Sequence, residues 1–359
     1  MTDHIRLFIP GPVEVRAEIL DAQTEWMIGH RSGEFAELYA RLQPKLKQSF
    51  GIENGRVFIF TSSGSGVWEA ASRNCVRDGH RILHLVSGAF SDRWAGVSED
   101  NGKLVDRIEV PWGQAVKPEA LAEALSKEQY DAVACVYNET STGVLQPVPQ
   151  YAGIVEQYPN TLFLVDAVSA YLGAEVQAEA WGIDICLTSS QKAMALPPGI
   201  AFASVSDRAL ARAEEVTNRG YYFDLLVMEQ SHKKNNTPAT PPISLMFAAD
   251  RQLDDVLEEG IANRVERHYQ MAERTREWAA SQGFEMFSED GYHSPTVSTI
   301  SNTRGINVKA LNNFLKERGM VISDGYGKIK DETMRIAHMG DIMPEHMEEL
   351  FSAIDEFLA

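Results

Sequence analysis

An apolar run ending in an acid, Phe163-Leu164-Val165-Asp166, is followed 26 residues later by Lys192 within Ser189-Ser190-Gln191-Lys192. A strand tip that holds a carboxylate near a single lysine is what a pyridoxal phosphate site requires. The amine can form a Schiff base with an aldehyde, and the acid can keep a pyridine nitrogen protonated so that the ring absorbs carbanion electrons. A buried Asp beside a helix N-terminus and a solvated Lys are each commoner than cofactor ligands, so this pair alone leaves both readings open.

Other motifs follow apolar runs in the same way. Val57-Phe58-Ile59-Phe60 leads into Thr61-Ser62-Ser63-Gly64-Ser65-Gly66 and then into the helix-like Val67-Trp68-Glu69-Ala70-Ala71. Small residues at such a turn let backbone N–H groups approach a phosphate, and the helix N-terminus adds partial positive charge. A plain tight turn is the alternative. The P-loop lysine and the full G-x-G-x-x-G pattern are both missing, which favours a compact phosphate ester over a nucleotide. Ser87-Gly88-Ala89-Phe90-Ser91-Asp92-Arg93-Trp94 places an aromatic where it could stack on a planar ring or simply pack in the core. After Tyr137, the stretch Asn138-Glu139-Thr140-Ser141-Thr142-Gly143 offers hydroxyls that could reach a phenolic oxygen or cap a turn.

The elements that must position these residues are short apolar runs at 57–60, 81–86, 132–137, 162–165 and 183–187, alternating with amphipathic stretches such as 119–125 and 148–157. That alternation argues for a mostly parallel sheet covered on both faces, with functional residues at strand C-termini. The polar, proline-rich Ser231–Pro242 reads as an ordered loop or domain connection. A helical pattern then runs from about Ser244 to Gln282, followed by a strand at 296–301, a helix at 308–318, a strand at 333–337 and a closing helix at 344–358. We therefore expect an N-terminal segment and large domain over residues 1–243 and a small C-terminal α+β domain over 244–359.

Lys plus Arg total 33 against Asp plus Glu 51, a formal charge of −18, which opposes binding to nucleic acid or anionic lipid. The first residues show no basic-then-apolar leader, no run approaches a membrane span, and a cytoplasmic protein is expected. Cys75, Cys135 and Cys186 lack a Cys-x-x-Cys spacing and read as reduced, mostly buried thiols. His80 and His84 are four apart in a stretch that alternates like a strand, so no metal site is expected.

Taken in order, these motifs resemble the class V aminotransferases of the fold-type I pyridoxal phosphate family, above all the alanine–glyoxylate and serine–glyoxylate or serine–pyruvate branch. The matching pieces are Ile9-Pro10-Gly11-Pro12, His30-Arg31, Ser63-Gly64-Ser65-Gly66, Glu139 to Pro147, Val165-Asp166-Ala167-Val168-Ser169, Ser190-Gln191-Lys192-Ala193 with Pro197-Pro198-Gly199, and Met334-Arg335-Ile336. The resemblance implies a large domain with a mostly parallel seven-stranded sheet plus the small C-terminal domain. It implies Lys192 as the Schiff-base lysine and Asp166 as the pyridinium partner. Ser65, Gly66, Val67 and Gln191 would lie at the phosphate end, with Phe90 and Val168 on the two ring faces and Thr140 at the phenolic oxygen. Thr237 would reach the neighbouring subunit's phosphate. Arg335 would bind the substrate carboxylate, a task suited to a two-pronged donor, with Gly11 beside it.

The resemblance further implies a homodimer with its site at the subunit interface. Its reaction would be a ping-pong transamination from a small amino acid, alanine or serine, to glyoxylate or pyruvate. Small donors are favoured because no second carboxylate-binding arginine is evident. The chain departs from the branch at Val67, where histidine is common, at Phe90, where tryptophan is frequent, and around Asn236-Thr237; these changes bear on the substrate rather than the cofactor. Three competitors remain. A cysteine desulfurase-like lyase would need a nucleophilic cysteine on a mobile loop. A phosphoserine or aminophosphonate transaminase would need further cations, for which His30, Arg31 and Lys328 are candidates. A non-catalytic binding protein would have no use for both Lys192 and Asp166.

Overall fold

A computed structural model describes residues 4–359. In chain order the strands are β1 (Arg6–Phe8), β2 (Arg56–Phe60), β3 (Arg81–Val86), β4 (Leu104–Glu109), β5 (Ala132–Val136), the two-residue β6 (Asn138–Glu139) and β7 (Val144–Leu145), β8 (Leu162–Asp166), β9 (Ile185–Ser189), β10 (Ala201–Val205), β11 (Glu285–Met286), β12 (Val297–Ser301), β13 (Met320–Asp324) and β14 (Thr333–Ala337). The larger sheet has seven strands in the order β2-β10-β9-β8-β5-β3-β4, parallel from β9 to β4, with β10 antiparallel to both its neighbours.

Every residue of β5, β8 and β9 is buried, as strands covered on both faces must be. Their period of two divides the core. Phe163 and Val165 join a cluster with Phe35, Leu42 and Met246, whereas Leu162 and Leu164 join one with Trp68, Trp94 and Ile82 on the opposite face. At the edge, β4 is half exposed and carries Asp106, Arg107 and Glu109, charges that discourage a further strand from pairing. Absent from the sequence-based reading, β10 is made mostly of small residues and follows a loop instead of a crossover helix, so it returns antiparallel to β9.

The smaller sheet has the order β1-β13-β14-β12-β11, with β1 parallel to β13. Helices Ile261–Ser281, Val308–Lys316 and Pro344–Leu358 cover one of its faces, where Met334 and Ile336 pack with Trp278, Leu311 and Leu350. The N-terminal segment was expected with the large domain, yet β1 is hydrogen-bonded into this sheet. The single helical pattern expected from Ser244 to Gln282 is two helices, Ile243–Glu259 and Ile261–Ser281, separated by Gly260 at φ +84°, a backbone region that suits glycine. The first of them buries Met246, Leu253 and Val256 in the larger core. A buried carboxylate joins the parts: Asp341 accepts from Arg16 Nε at 2.6 Å and from Arg264 Nη2 at 2.9 Å, and the same Arg264 nitrogen donates to the Ala193 carbonyl beside Lys192.

Candidate active site

Strand parity aims the acid. Asp166 ends β8 on the face of Leu162 and Leu164, toward the helix Gly64–Cys75, where Trp68 donates its indole N–H to Oδ2 at 2.7 Å. The Val168 N–H donates to Oδ1 at 2.6 Å. In the loop after β9, Lys192 donates through Nζ to the Pro10 carbonyl. Glycine is required opposite it, because a Cβ on Gly11, at φ +128°, would lie 2.9 Å from Nζ.

These groups open on one cavity of about 210 Å³ at the strand C-termini. Of the residues singled out from the sequence, Gly11, Ser65, Phe90, Thr140, Asp166, Val168, Gln191 and Lys192 line it. Gly66 adjoins this lining, and a Cβ there would meet Ser62 and Phe223. Val67 turns its side chain into the core cluster with Trp68 and Ala71. Thr237 lies apart, lining a different small cleft with Thr61 and Phe223, its hydroxyl donating to the Ala239 carbonyl. Arg335 sits just beyond the cavity wall. Parity in β14 sends Met334 and Ile336 into the small core and Arg335 the other way, where Nη1 donates to the Thr140 carbonyl at 3.3 Å and Nε to the Asp324 carbonyl at 3.0 Å. No carboxylate lies within 4.0 Å of it among the described residues.

Burial dominates the electrostatics. It pushes the Asp166 carboxyl up from 3.8 to about 7, against the pull of the Val168 and Trp68 hydrogen bonds and of Lys192. It pushes the Lys192 ammonium down from 10.5 to about 8, helped by the Arg335 charge and opposed by Asp166; water entering the cavity limits the effect, since Lys192 is partly exposed. Arg335 is drawn down to about 10 by burial and stays charged at neutral pH.

The signs give a prediction for the cofactor-free protein. Between pH 3.8 and about 7 the folded state holds a proton on Asp166 that the unfolded chain has lost, so stability falls as pH rises through that window. Between about 8 and 10.5 the unfolded chain holds a proton on Lys192 that the folded state has released, so stability rises with pH there. Both penalties are complete only between about 7 and 8. In urea unfolding at a series of pH values, Asp166→Asn should gain most over the parent above pH 7 and Lys192→Met most below pH 8. Differences that do not vary with pH would contradict both shifts.

The cavity fits pyridoxal phosphate on its own evidence. Buried Asn138 Oδ1, Ser189 Oγ and Gln191 Oε1 have no partner within the protein, although buried polar atoms are normally paired. Phe90 and Val168 line the same cavity as the acid and the amine. The Ser63 side chain makes no capping bond to the helix Gly64–Cys75, which leaves the Gly64 and Ser65 N–H groups of its first turn available to a phosphate, while the Gly66 N–H donates to the Ser63 carbonyl.

Several supporting residues escaped the sequence-based reading. Glu139, fully buried, accepts from the Phe90 and Ser91 N–H groups at 3.2 and 2.9 Å and from both Ser91 and Ser141 hydroxyls, so it anchors the start of the helix that carries Phe90. Ser169 hydrogen-bonds the Thr140 hydroxyl at 2.6 Å. Tyr326 stacks on Phe90 with ring centres 5.3 Å apart. The only available hint was their place inside the quoted motifs, and for Tyr326 there was none. Among the cations considered for a substrate phosphate, Arg31 and His30 are engaged by the loop 236–240, and Lys328 lies over the Trp112 ring. All three cysteines are buried with their thiols pushed up by burial, the opposite of an activated nucleophile.

The family profile "Aminotransferase class-V" matches residues 18–331. An uncharacterized aminotransferase of Methanocaldococcus jannaschii is 36% identical, over 93% of this chain and 87% of that protein. A serine–glyoxylate aminotransferase of Methylorubrum extorquens is 31% identical, over 94% and 86%. Among solved structures, an aspartate aminotransferase of subgroup IV from Thermus thermophilus superposes with a TM-score of 0.91 at 30% identity, covering 98% of this chain and 99% of that one.

Proposed function

The chain belongs to the class V aminotransferases and is a pyridoxal phosphate-dependent transaminase, and from that premise we propose that it moves the amino group of alanine or serine to glyoxylate or pyruvate in a ping-pong cycle. Lys192 and Asp166 opening on one cavity, with an arginine free of any carboxylate at its wall, is the observation that carries this reading.

Pyridoxal phosphate, when bound, would supply an electron sink for the pair left by the α-proton and a carrier for the amino group between the two half-reactions. Lys192 would tether it and, with its amine free, would carry the α-proton; burial holds that amine near the pH at which a base is useful. Asp166 would pair with the ring nitrogen, and the Trp68 and Val168 donors keep its carboxylate oriented. Ser65, Gly66 and Gln191 would hold the phosphate, joined by the backbone of Val67 and by Thr237 of the partner subunit. Phe90 and Val168 would enclose the ring, and Thr140, steadied by Ser169, would meet the phenolic oxygen. Arg335 binds the α-carboxylate next to Gly11.

The dimer this reading needs is supported by exposed apolar side chains at Trp26, Met27 and Tyr221, 91%, 68% and 91% accessible, which a second copy could cover. Three unpaired cysteines suit the cytoplasm, and no helix among the described residues is long and apolar enough to cross a membrane.

Incubating the holoenzyme with L-alanine or L-serine and glyoxylate should yield glycine with parallel initial-rate lines. No amino transfer from either donor would overturn the substrate assignment. Arg335→Lys keeps the charge but loses the paired donors, so KM for both amino donor and oxo acid should rise roughly tenfold or more while the cofactor spectrum stays put. Each substrate presents its carboxylate to the same group in its own half-reaction. A defect confined to one substrate would mean that another cation holds the carboxylate.

A further inference from the structure

We propose that Arg264 is a positioning residue for Lys192: by clamping the Ala193 carbonyl it fixes the turn from which the ε-amine reaches the cofactor aldehyde, and so sets how firmly the lysine tethers the cofactor. This rests on reading Lys192 as the cofactor-bearing lysine.

The lysine side chain is a long flexible stem, so where its amine stands depends on the backbone that carries it. That backbone is a tight turn between β9 and β10, in which the Ala195 N–H donates to the Lys192 carbonyl at 2.7 Å. Ala195 takes φ +52°, a left-handed region costly for any residue with a Cβ. The turn is therefore held by its neighbours rather than by its own preference. The buried Ala193 carbonyl accepts from Arg264 Nη2 at 3.0 Å and from no other group among the described residues. From another side Gly340 comes so close that an added Cβ would lie 2.8 Å from the Ala195 Cβ.

Arg264 is itself locked in place. It is 3% exposed on the helix Ile261–Ser281, where Nη2 also donates to Asp341 at 2.9 Å and Nη1 donates to Glu259 at 2.8 Å. Its own carbonyl accepts from His268 Nδ1 at 2.7 Å, and His268 Nε2 accepts from the Gly340 N–H at 3.0 Å. A histidine used in both ways must be neutral, and burial holds His268 well below its ordinary pKa. Helix, lysine turn and the chain that follows β14 thus share one register. Arg264 Nε has no partner among the described residues. A buried ion pair with an unmet donor adds little stability over an apolar side chain of similar size. The clamp on the lysine turn is what an apolar side chain could not supply.

Competition with methylamine reads the tether without any turnover. With the cofactor held by its phosphate, the methylamine nitrogen bonds to the aldehyde-derived carbon as the bond from that carbon to Lys192 breaks, and the lysine nitrogen takes the proton that methylamine loses. No atom changes oxidation state. Borohydride then reduces whatever linkage is present, and the mass of the denatured chain gives the fraction of cofactor still on the protein. The methylamine concentration that displaces half of it is the effective molarity of Lys192.

Arg264→Lys keeps a charge for Asp341 and Glu259 but cannot also reach the Ala193 carbonyl, so that midpoint should fall roughly tenfold, the worth of one hydrogen bond to a charged group. Gly340→Ala presses on the same turn through Ala195 and should lower it too; this variant carries the test if Arg264→Lys does not fold. Arg16→Gln removes another contact to Asp341 and leaves the turn alone, so its midpoint should stay within about twofold of the parent while its urea resistance falls. A parent-like midpoint in folded Arg264→Lys, or an equal fall in Arg16→Gln, would reduce Arg264 to a structural ion pair. Peptide mapping keeps the premise separate. Cofactor fixed at a lysine other than Lys192 would end the proposed function, whereas cofactor on Lys192 with an unmoved midpoint overturns this inference alone.

Discussion

Lys192→Ala is expected to lower turnover by on the order of 10⁴-fold, the upper end of what a positioned general base supplies, because one side chain is both tether and proton carrier. Binding of the cofactor should survive in part, since Ser65, Gln191, Phe90 and Asp166 line the cavity independently of the lysine. The amine is in a position no other lysine occupies: it is the one that lines the cavity with Asp166, and Gly11 is held clear of it by having no Cβ. Single-turnover rates with L-serine, with and without added small primary amines, would read the two roles separately. Transamination at the parent's rate by the alanine variant would end the assignment.

Asp166→Ala should cost roughly 10²–10³ in kcat, the scale of removing one preorganised electrostatic group from a water-poor site. A purely structural acid would behave differently. Removing it would strand the Trp68 indole N–H, now 2.7 Å from Oδ2, and lower stability at every pH while sparing turnover. A functional acid is held against its own preference: burial lifts its pKa to about 7, so Asp166→Asn should be more stable than the parent above that pH when free of cofactor and far less active when loaded with it. Cationic character at the ring nitrogen would restore the ionised form in the loaded enzyme. Equilibrium unfolding without cofactor and steady-state rates with it, measured on the same two variants, decide between these accounts. Unchanged kcat in Asp166→Ala would make the residue structural.

The lyase alternative weakens for a physical reason. A persulfide-forming cysteine must be an accessible thiolate, and Cys75, Cys135 and Cys186 are all enclosed in the sheet cores.

Local pattern carried much of this protein. The apolar runs at 81–86, 132–137 and 162–165 correspond closely to β3, β5 and β8, because strands buried on both faces must be apolar along their length. The strand-end rule gathers Ser65, Phe90, Thr140, Asp166 and Lys192 at one end of a mostly parallel sheet, and they line one cavity there. Parity within a strand was legible too: it aims Asp166 and Arg335 once the apolar partners of each strand are known. Tertiary structure alone decided which distant groups meet. Trp68 finds Asp166 across 98 residues, Arg335 finds the Thr140 carbonyl across 195, and Arg93 finds Tyr326 across 233. Such pairs leave no periodic trace, because each lies where two separately patterned elements pack and its partner is set by their mutual orientation. The same holds for β1, three residues too short to announce its sheet, and for the break at Gly260, where a positive φ divides a helical pattern that is continuous in sequence. Sequence spacing thus determined the chemistry the chain could perform, and packing decided how its acid and amine are tuned and where its free cations stand, because burial and charge proximity exist only after distant segments are brought together.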